Sequence, residues 1–132
     1  FREYALETGQ SADSEEAAQD AATRAAQVIA EPQDVRLLIE RGLPVAMTGF
    51  NAVLPDMVQV GGVYVPKIRR NQSLGRRAVG LHLAEARAAG GRRAILFAAS
   101  APAARAYEGL GFQRVGTYRV CLFATPHRIG AA

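Results

Sequence analysis

Five cations stand close together in this chain: Lys67, Arg69, Arg70, Arg76 and Arg77 fall within eleven residues. They lie in the stretch Val63–Arg77, VYVPKIRRNQSLGRR. Its pattern predicts a strand that ends at Pro66, a short basic loop, and a helix that begins near Leu74. Backbone N–H groups at the start of a helix have no intrahelical partner, and the helix dipole adds positive potential there. Such a junction suits a diphosphate. Gly75 removes the Cβ where a phosphate approaches the backbone, and the arginines can add charge-assisted hydrogen bonds.

A second group of residues lies in Ser100–Phe112, SAPAARAYEGLGF. Taken alone, Tyr107 reads as a core aromatic on a short helix, with its hydroxyl at the rim. The remaining reactive types are sparse. Cys121 is the single cysteine, so it has no partner for an internal disulfide, and one Cys with two His cannot build a metal cluster. This usage points to a reducing compartment, with cytoplasm as the expected location. His82, mid-helix among apolar neighbours, is expected to be structural or solvent-facing, and His127 to be exposed in the tail. Cys121 is expected to be a small core residue of a final strand. Glu40, Asn51 and Asp56, near strand ends, are candidate bases acting through water, and none has a decisive context.

Composition narrows the class of function. The chain has 132 residues, 49% hydrophobic and 21% charged, with a net charge of +4. This suits one soluble α/β domain with a single core. No apolar run approaches the roughly 20 residues of a membrane-spanning helix. The positive balance suits an anionic partner, either a nucleic acid or a phosphorylated small molecule. No aromatic side chains interleave with the basic cluster as a stacking platform for single strands requires, so nucleic acid is the less favoured partner.

The elements that must position these residues follow from periodicity and turn chemistry. Residues 1–8 read as the end of a helix stopped at Gly9. Asp13 and Glu16 have capping-box spacing before an alanine-rich helix that runs to about Ala30. Strands are predicted at Val35–Glu40, Pro44–Val53 and Met57–Val65, joined by short turns at Arg41-Gly42 and Pro55-Asp56 into an antiparallel meander. Leu74–Ala89 is helical, with Leu74, Ala78, Leu81, Ala84 and Ala88 on one face and Val79, Leu83 and Ala86 widening it. Ala94–Ala98 is a continuous apolar run, expected to be a central strand buried on both faces and parallel to Val58–Val65. A short helix over Pro102–Leu110 and a last extended segment over Phe112–Phe123 complete the chain.

The two stretches together resemble the GNAT acyltransferase superfamily. Arg70-Asn71-Gln72-Ser73-Leu74-Gly75 is similar to its pyrophosphate loop, Gln/Arg-x-x-Gly-x-Gly/Ala, with Ser73 where the family usually has Gly. Ser100, Ala103, Tyr107, Glu108, Gly111 and Phe112 match the spacing of its second cofactor segment, with Ser100 in place of Asn. The resemblance covers about residues 58 to 123. It implies a mixed, mostly antiparallel α/β sheet flanked by helices, with a splayed parallel strand pair in the middle. It also implies a β-bulge, for which Gly61-Gly62 is suitable, and pairing of Val63 and Val65 backbone groups with pantetheine. The cosubstrate would be acetyl-CoA, held by Arg70, Asn71, Gln72, Ser73, Leu74, Gly75 and Arg76 together with Ser100 and Ala103. Tyr107 would protonate the departing thiolate.

The implied activity is transfer of an acetyl group from acetyl-CoA to an amine by direct attack in a ternary complex, with no metal. A non-catalytic acyl-CoA-binding domain is the alternative, and the acceptor is left open. Residues 1–132 are expected to form one domain whose first strand is missing or supplied by a preceding region. A homodimer and an N-terminal domain in a longer protein are both compatible with this reading.

Overall fold

The computed structural model describes residues 1–30, 34–121, 123–125 and 130. Two helices, α1 (Arg2–Glu7) and α2 (Glu15–Ala30), precede a meander of β1 (Val35–Glu40), β2 (Leu43–Val53) and β3 (Met57–Tyr64). A 3-10 turn at Lys67–Arg69 leads into α3 (Leu74–Ala88), followed by β4 (Arg93–Leu96) and α4 (Ala101–Glu108). The sheet order is β1-β2-β3-β4, antiparallel except for the parallel pair β3–β4. The predicted meander and βαβ crossover are therefore present.

The core lies between the sheet and α3. Val45 and Ala46 of β2 pack with Leu74 and Ala78, and Leu38 and Val65 close the cluster. Val79 is completely buried, and such a side chain contributes about 1.5 kcal/mol or more by leaving water. The buried stripe of α3 is Leu74, Ala78, Val79 and His82. Leu81, Ala84 and Ala88, expected on that face, are exposed, because the helix is rolled so that Val79 and His82 point at the sheet. His82 is therefore structural rather than solvent-facing: it is 3% exposed and stacked on Phe50 of β2, with ring centroids 3.7 Å apart.

Three other expectations are corrected. Ser14, not Asp13, starts α2: its Oγ accepts from the Ala17 N–H at 3.1 Å, while Asp13 pairs with Arg2 at 2.5 Å. The strand at 93–96 is not buried on both faces. It forms the edge of the sheet among the described residues, and its Ile95 is 39% exposed, with the following Phe97 51% exposed. Residues 112–121 form no strand, so nothing pairs with that edge there, and Cys121 is exposed rather than in the core. The segment stays near β4 through Tyr118, whose ring lies 4.4 Å from that of Phe97. His127 falls outside the described residues.

Candidate active site

The site begins at a fault in the sheet. β3 and β4 pair in register from Met57↔Arg93 to Val60↔Leu96, and β4 then ends. From Gly61 onward β3 remains paired with β2 alone, up to Met47↔Tyr64. Between Met47–Gly49 on β2 and Gly61–Tyr64 on β3, the β3 side carries one extra residue, which is a bulge. Gly62 takes the left-handed conformation this needs, with φ of 60°. A Cβ at Gly61 would collide with the carboxamide of Asn51, which sits on a second irregularity of β2. The glycine pair thus turns β3 away from β4 and leaves its backbone edge open over Gly61–Tyr64. Val63 belongs to that free edge, and Val65 lies just beyond the strand.

The chain then delivers the loop and the start of α3 beside the end of β3. Arg70 follows the 3-10 turn with extended backbone, Asn71 and Ser73 are left-handed with φ of 62° and 57°, and Leu74 opens α3. No side chain caps α3. The N–H groups of its first turn, at Leu74, Gly75 and Arg76, therefore face outward without an intrahelical partner. Gly75 permits the helix to approach β3: a Cβ there would stand 3.4 Å from Val65 Cγ2 and 3.7 Å from Val63 Cγ1.

Carboxylates organise the loop cations. Glu40 accepts from Arg69 at 2.7 Å and from Arg77 at 3.2 Å. Glu7 accepts from Arg70 at 2.5 Å and lies 3.8 Å from Lys67. The Arg70 guanidinium holds the Glu7 carboxyl below its ordinary range. Arg76 meets no carboxylate among the described residues. Its Nη1 is close to Gly109, the C-cap of α4. Gln72, Ser73, Arg76, Arg77, Gly80 and Leu110 line an open hollow of about 480 Å³ beside the α3 N-terminus.

Tyr107 stands on α4, half-buried, with its ring edge-on to Phe112 at 6.2 Å. Burial raises its pKa, with Tyr4 of α1 adding to the effect, so the phenol keeps its proton at neutral pH. Ser100 is the N-cap of α4, and its Oγ accepts from the Ala103 N–H at 3.3 Å. Both residues therefore have a local structural task. Of the candidate bases, Glu40 is engaged by two arginines. Asp56 pairs with Arg93 at 2.8 Å, and its carbonyl accepts from Arg92 and Arg93. Asn51 lies against the bulge. Sequence reasoning did not find Glu7 or Tyr64: Tyr64 Oη donates to Glu3 at 2.5 Å and to Glu7 at 3.4 Å. The only sequence signal for Glu7 is acidic spacing on α1, which any solvated helix can show, and Tyr64 at the end of β3 carries none.

Comparison with known proteins agrees with this geometry. A model of the acetyltransferase (GNAT) family matches residues 2–112. Among curated proteins, no relative matches the sequence. Solved structures share the fold at low identity. Glucosamine-6-phosphate N-acetyltransferase from Arabidopsis thaliana is 17% identical, with 93% of this chain and 88% of that one covered and a TM-score of 0.67. A predicted acetyltransferase from Clostridium acetobutylicum, solved with acetyl-CoA, is 14% identical over 92% and 84% of the two chains, with a TM-score of 0.63. An aminoglycoside N-acetyltransferase in complex with CoA is 12% identical over 83% and 88%, with a TM-score of 0.56. The splayed parallel pair, the uncapped helix and the family match together assign this chain to the GNAT acetyltransferase family.

Proposed function

We propose that the chain is an acetyl-CoA-dependent N-acetyltransferase. The observation that carries the reading is the parting of β3 from β4 at the Gly61-Gly62 bulge, beside the uncapped N-terminus of α3. An open strand edge suits a pantetheine arm, which carries amides and can pair as a pseudo-strand with Val63 and Val65. The free N–H groups of Leu74, Gly75 and Arg76 suit its diphosphate. Arg70 adds charge, Asn71 and Gln72 shape the loop, and Ser73 presents a small surface. Arg76, without a carboxylate of its own, is the cation most available to a phosphate in the hollow. Ser100 and Ala103, at the start of α4 beyond β4, would close the other side of the site in this reading.

Acetyl-CoA supplies a thioester, whose carbonyl carbon the amine attacks directly while the C–S bond breaks. Tyr107 donates its phenolic proton to the leaving sulfur, a thiolate with pKa near ~8.5 by analogy with Cys. Tyr107 is protonated at neutral pH, and because burial makes it a weaker acid the role rests on its position beside the leaving sulfur. Water is the proton acceptor for the amine in this reading. Holding both reactants in the wedge supplies several kcal/mol, and proton transfer adds about a hundred- to ten-thousand-fold. No described helix is long and apolar enough to cross a membrane, which is compatible with a cytoplasmic enzyme.

The test is calorimetric titration with CoA, followed by thiol-release assays of acetyl-CoA against a panel of amines. Binding with turnover on at least one amine is expected. Tight binding with no turnover on any amine would favour a non-catalytic acyl-CoA-binding domain. Absence of binding at millimolar CoA by folded protein would sink the assignment.

A further inference from the structure

The arginine offered to a diphosphate already holds an anion. Arg70 Nη2 donates to Glu7 Oε2 at 2.5 Å, and its Nε donates to the Val65 carbonyl at 3.0 Å. The guanidinium carbon lies 5.8 Å from the centroid of the Tyr64 ring, and Tyr64 in turn donates to Glu3 and Glu7. Lys67 completes the group at 3.8 Å from Glu7. Both glutamates come from α1, a six-residue helix with no buried residue. Its hold on the phosphate loop is therefore polar rather than a packed apolar face. A helix so short is marginal by itself and depends on such ties.

We propose that Glu7 is a latch: its carboxylate occupies Arg70 in place of a phosphate, so that docking of α1 on the loop and binding of the diphosphate exclude one another. The inference rests on the diphosphate reading of the loop given above. Glu7 takes the Nη2 side of the guanidinium and Val65 takes Nε, and two anions brought to one cation repel each other, so the competition is electrostatic. The Nε bond to the Val65 carbonyl folds Arg70 back onto the end of the strand whose backbone the pantetheine would use, so latched and loaded states compete at two points. Among the described residues, release of Glu7 leaves α1 tied to β3 only through the Glu3–Tyr64 bond. Loading of the cofactor site is thereby coupled to the position of α1.

Titration of CoA into wild type, Glu7→Gln and Glu3→Gln at one low ionic strength tests this. Glu7→Gln keeps the shape of the side chain and touches no buried residue, so the fold is retained. Removing the competing carboxylate should tighten CoA binding by about 1.5- to 5-fold, the range expected for losing one exposed ion pair. Inorganic pyrophosphate, used as a second probe, should gain by a similar factor. Glu3→Gln removes the same charge from the same helix without touching Arg70, and should change affinity much less. Equal tightening by both variants would reduce the effect to general electrostatics and overturn the latch. Wild type that binds CoA while Glu7→Gln binds no tighter would overturn the latch and leave the diphosphate reading standing. If no variant binds CoA or pyrophosphate, both fall together.

Discussion

Three helices of this protein begin on serine, and two of these serines, Ser100 and Ser73, do opposite things. Ser100 has extended backbone, φ −151° and ψ 159°, and its hydroxyl caps α4. Ser73 is left-handed, φ 57° and ψ 18°, and caps nothing. N-capping needs a β-region backbone to aim the side-chain oxygen at the second or third helical N–H. A left-handed residue loses that aim and costs roughly 1 kcal/mol or more for any side chain with a Cβ. One terminus is therefore satisfied by its own chain, and the other keeps its donors open at the expense of strain. Residue type alone therefore does not decide whether a helix end is capped; the backbone conformation before it does.

In the proposed function α3 holds the cofactor and α4 acts on it, and substitutions can separate the two. Tyr107→Phe, on α4, should have the largest effect. It removes one hydroxyl while retaining the ring against Phe112, and turnover should fall about a hundredfold, equivalent to ~2.7 kcal/mol in the barrier. CoA affinity measured in parallel should barely change; if it falls as far as turnover, α4 also holds the cofactor and the division fails. Arg70→Ala, before α3, should do the reverse, weakening CoA by about tenfold with the fold intact. Arg69→Ala should matter less, because Arg69 belongs to the 3-10 turn before the loop that Arg70 opens. A larger loss at Arg69 would shift the motif by one residue.

The serines themselves give the smaller effects. Ser100→Ala should lower stability by about 1 kcal/mol through loss of the cap, read by denaturant melts. Ser73→Gly should raise it by about 0.5 kcal/mol, because relief of left-handed strain outweighs the added chain entropy of glycine. A marked loss of CoA affinity in Ser73→Gly would show that the hydroxyl serves the ligand and would blur the contrast.

The last effect lies away from both helix ends, in the packing that seats α3. Burial lowers the pKa of His82, and Arg36 adds to this while Glu85 and Asp34 oppose it. A folded pKa below the ordinary 6.5 means that the unfolded state binds the proton more readily. The associated stability is therefore present above pH 6.5 and lost as the pH falls from there through the folded pKa. Thermal melts between pH 7.5 and 5 should show a decline that His82→Gln flattens. An identical slope in the variant would assign the decline to other groups. Glu7 and Glu85, whose pKa values are lowered by their arginine partners, act only at lower pH, below the ordinary carboxylate value of 4.5.

Local patterns in the sequence sufficed for much of this. The short turns at Arg41-Gly42 and Pro55-Asp56 dictate the meander, and the spacing from β3 to β4 dictates a parallel crossover. The glycine pair marks the bulge, and the run from Arg70 to Gly75 marks the loop. Each is a short-range consequence of backbone freedom, hydrogen-bond capacity or apolar period, and needs no knowledge of distant residues. Tertiary structure alone decided the rest. Which stripe of α3 is buried depends on the roll of the helix against β2, where His82 finds Phe50. Whether Ala94–Leu96 is central or at an edge depends on whether residues 112–121 pair with it, and they do not. That Glu7 lies on Arg70 depends on where a six-residue helix settles, 63 residues away in sequence. Such contacts are set by the summed packing of many elements, and charge on an exposed helix gives no local signal of the partner it will meet.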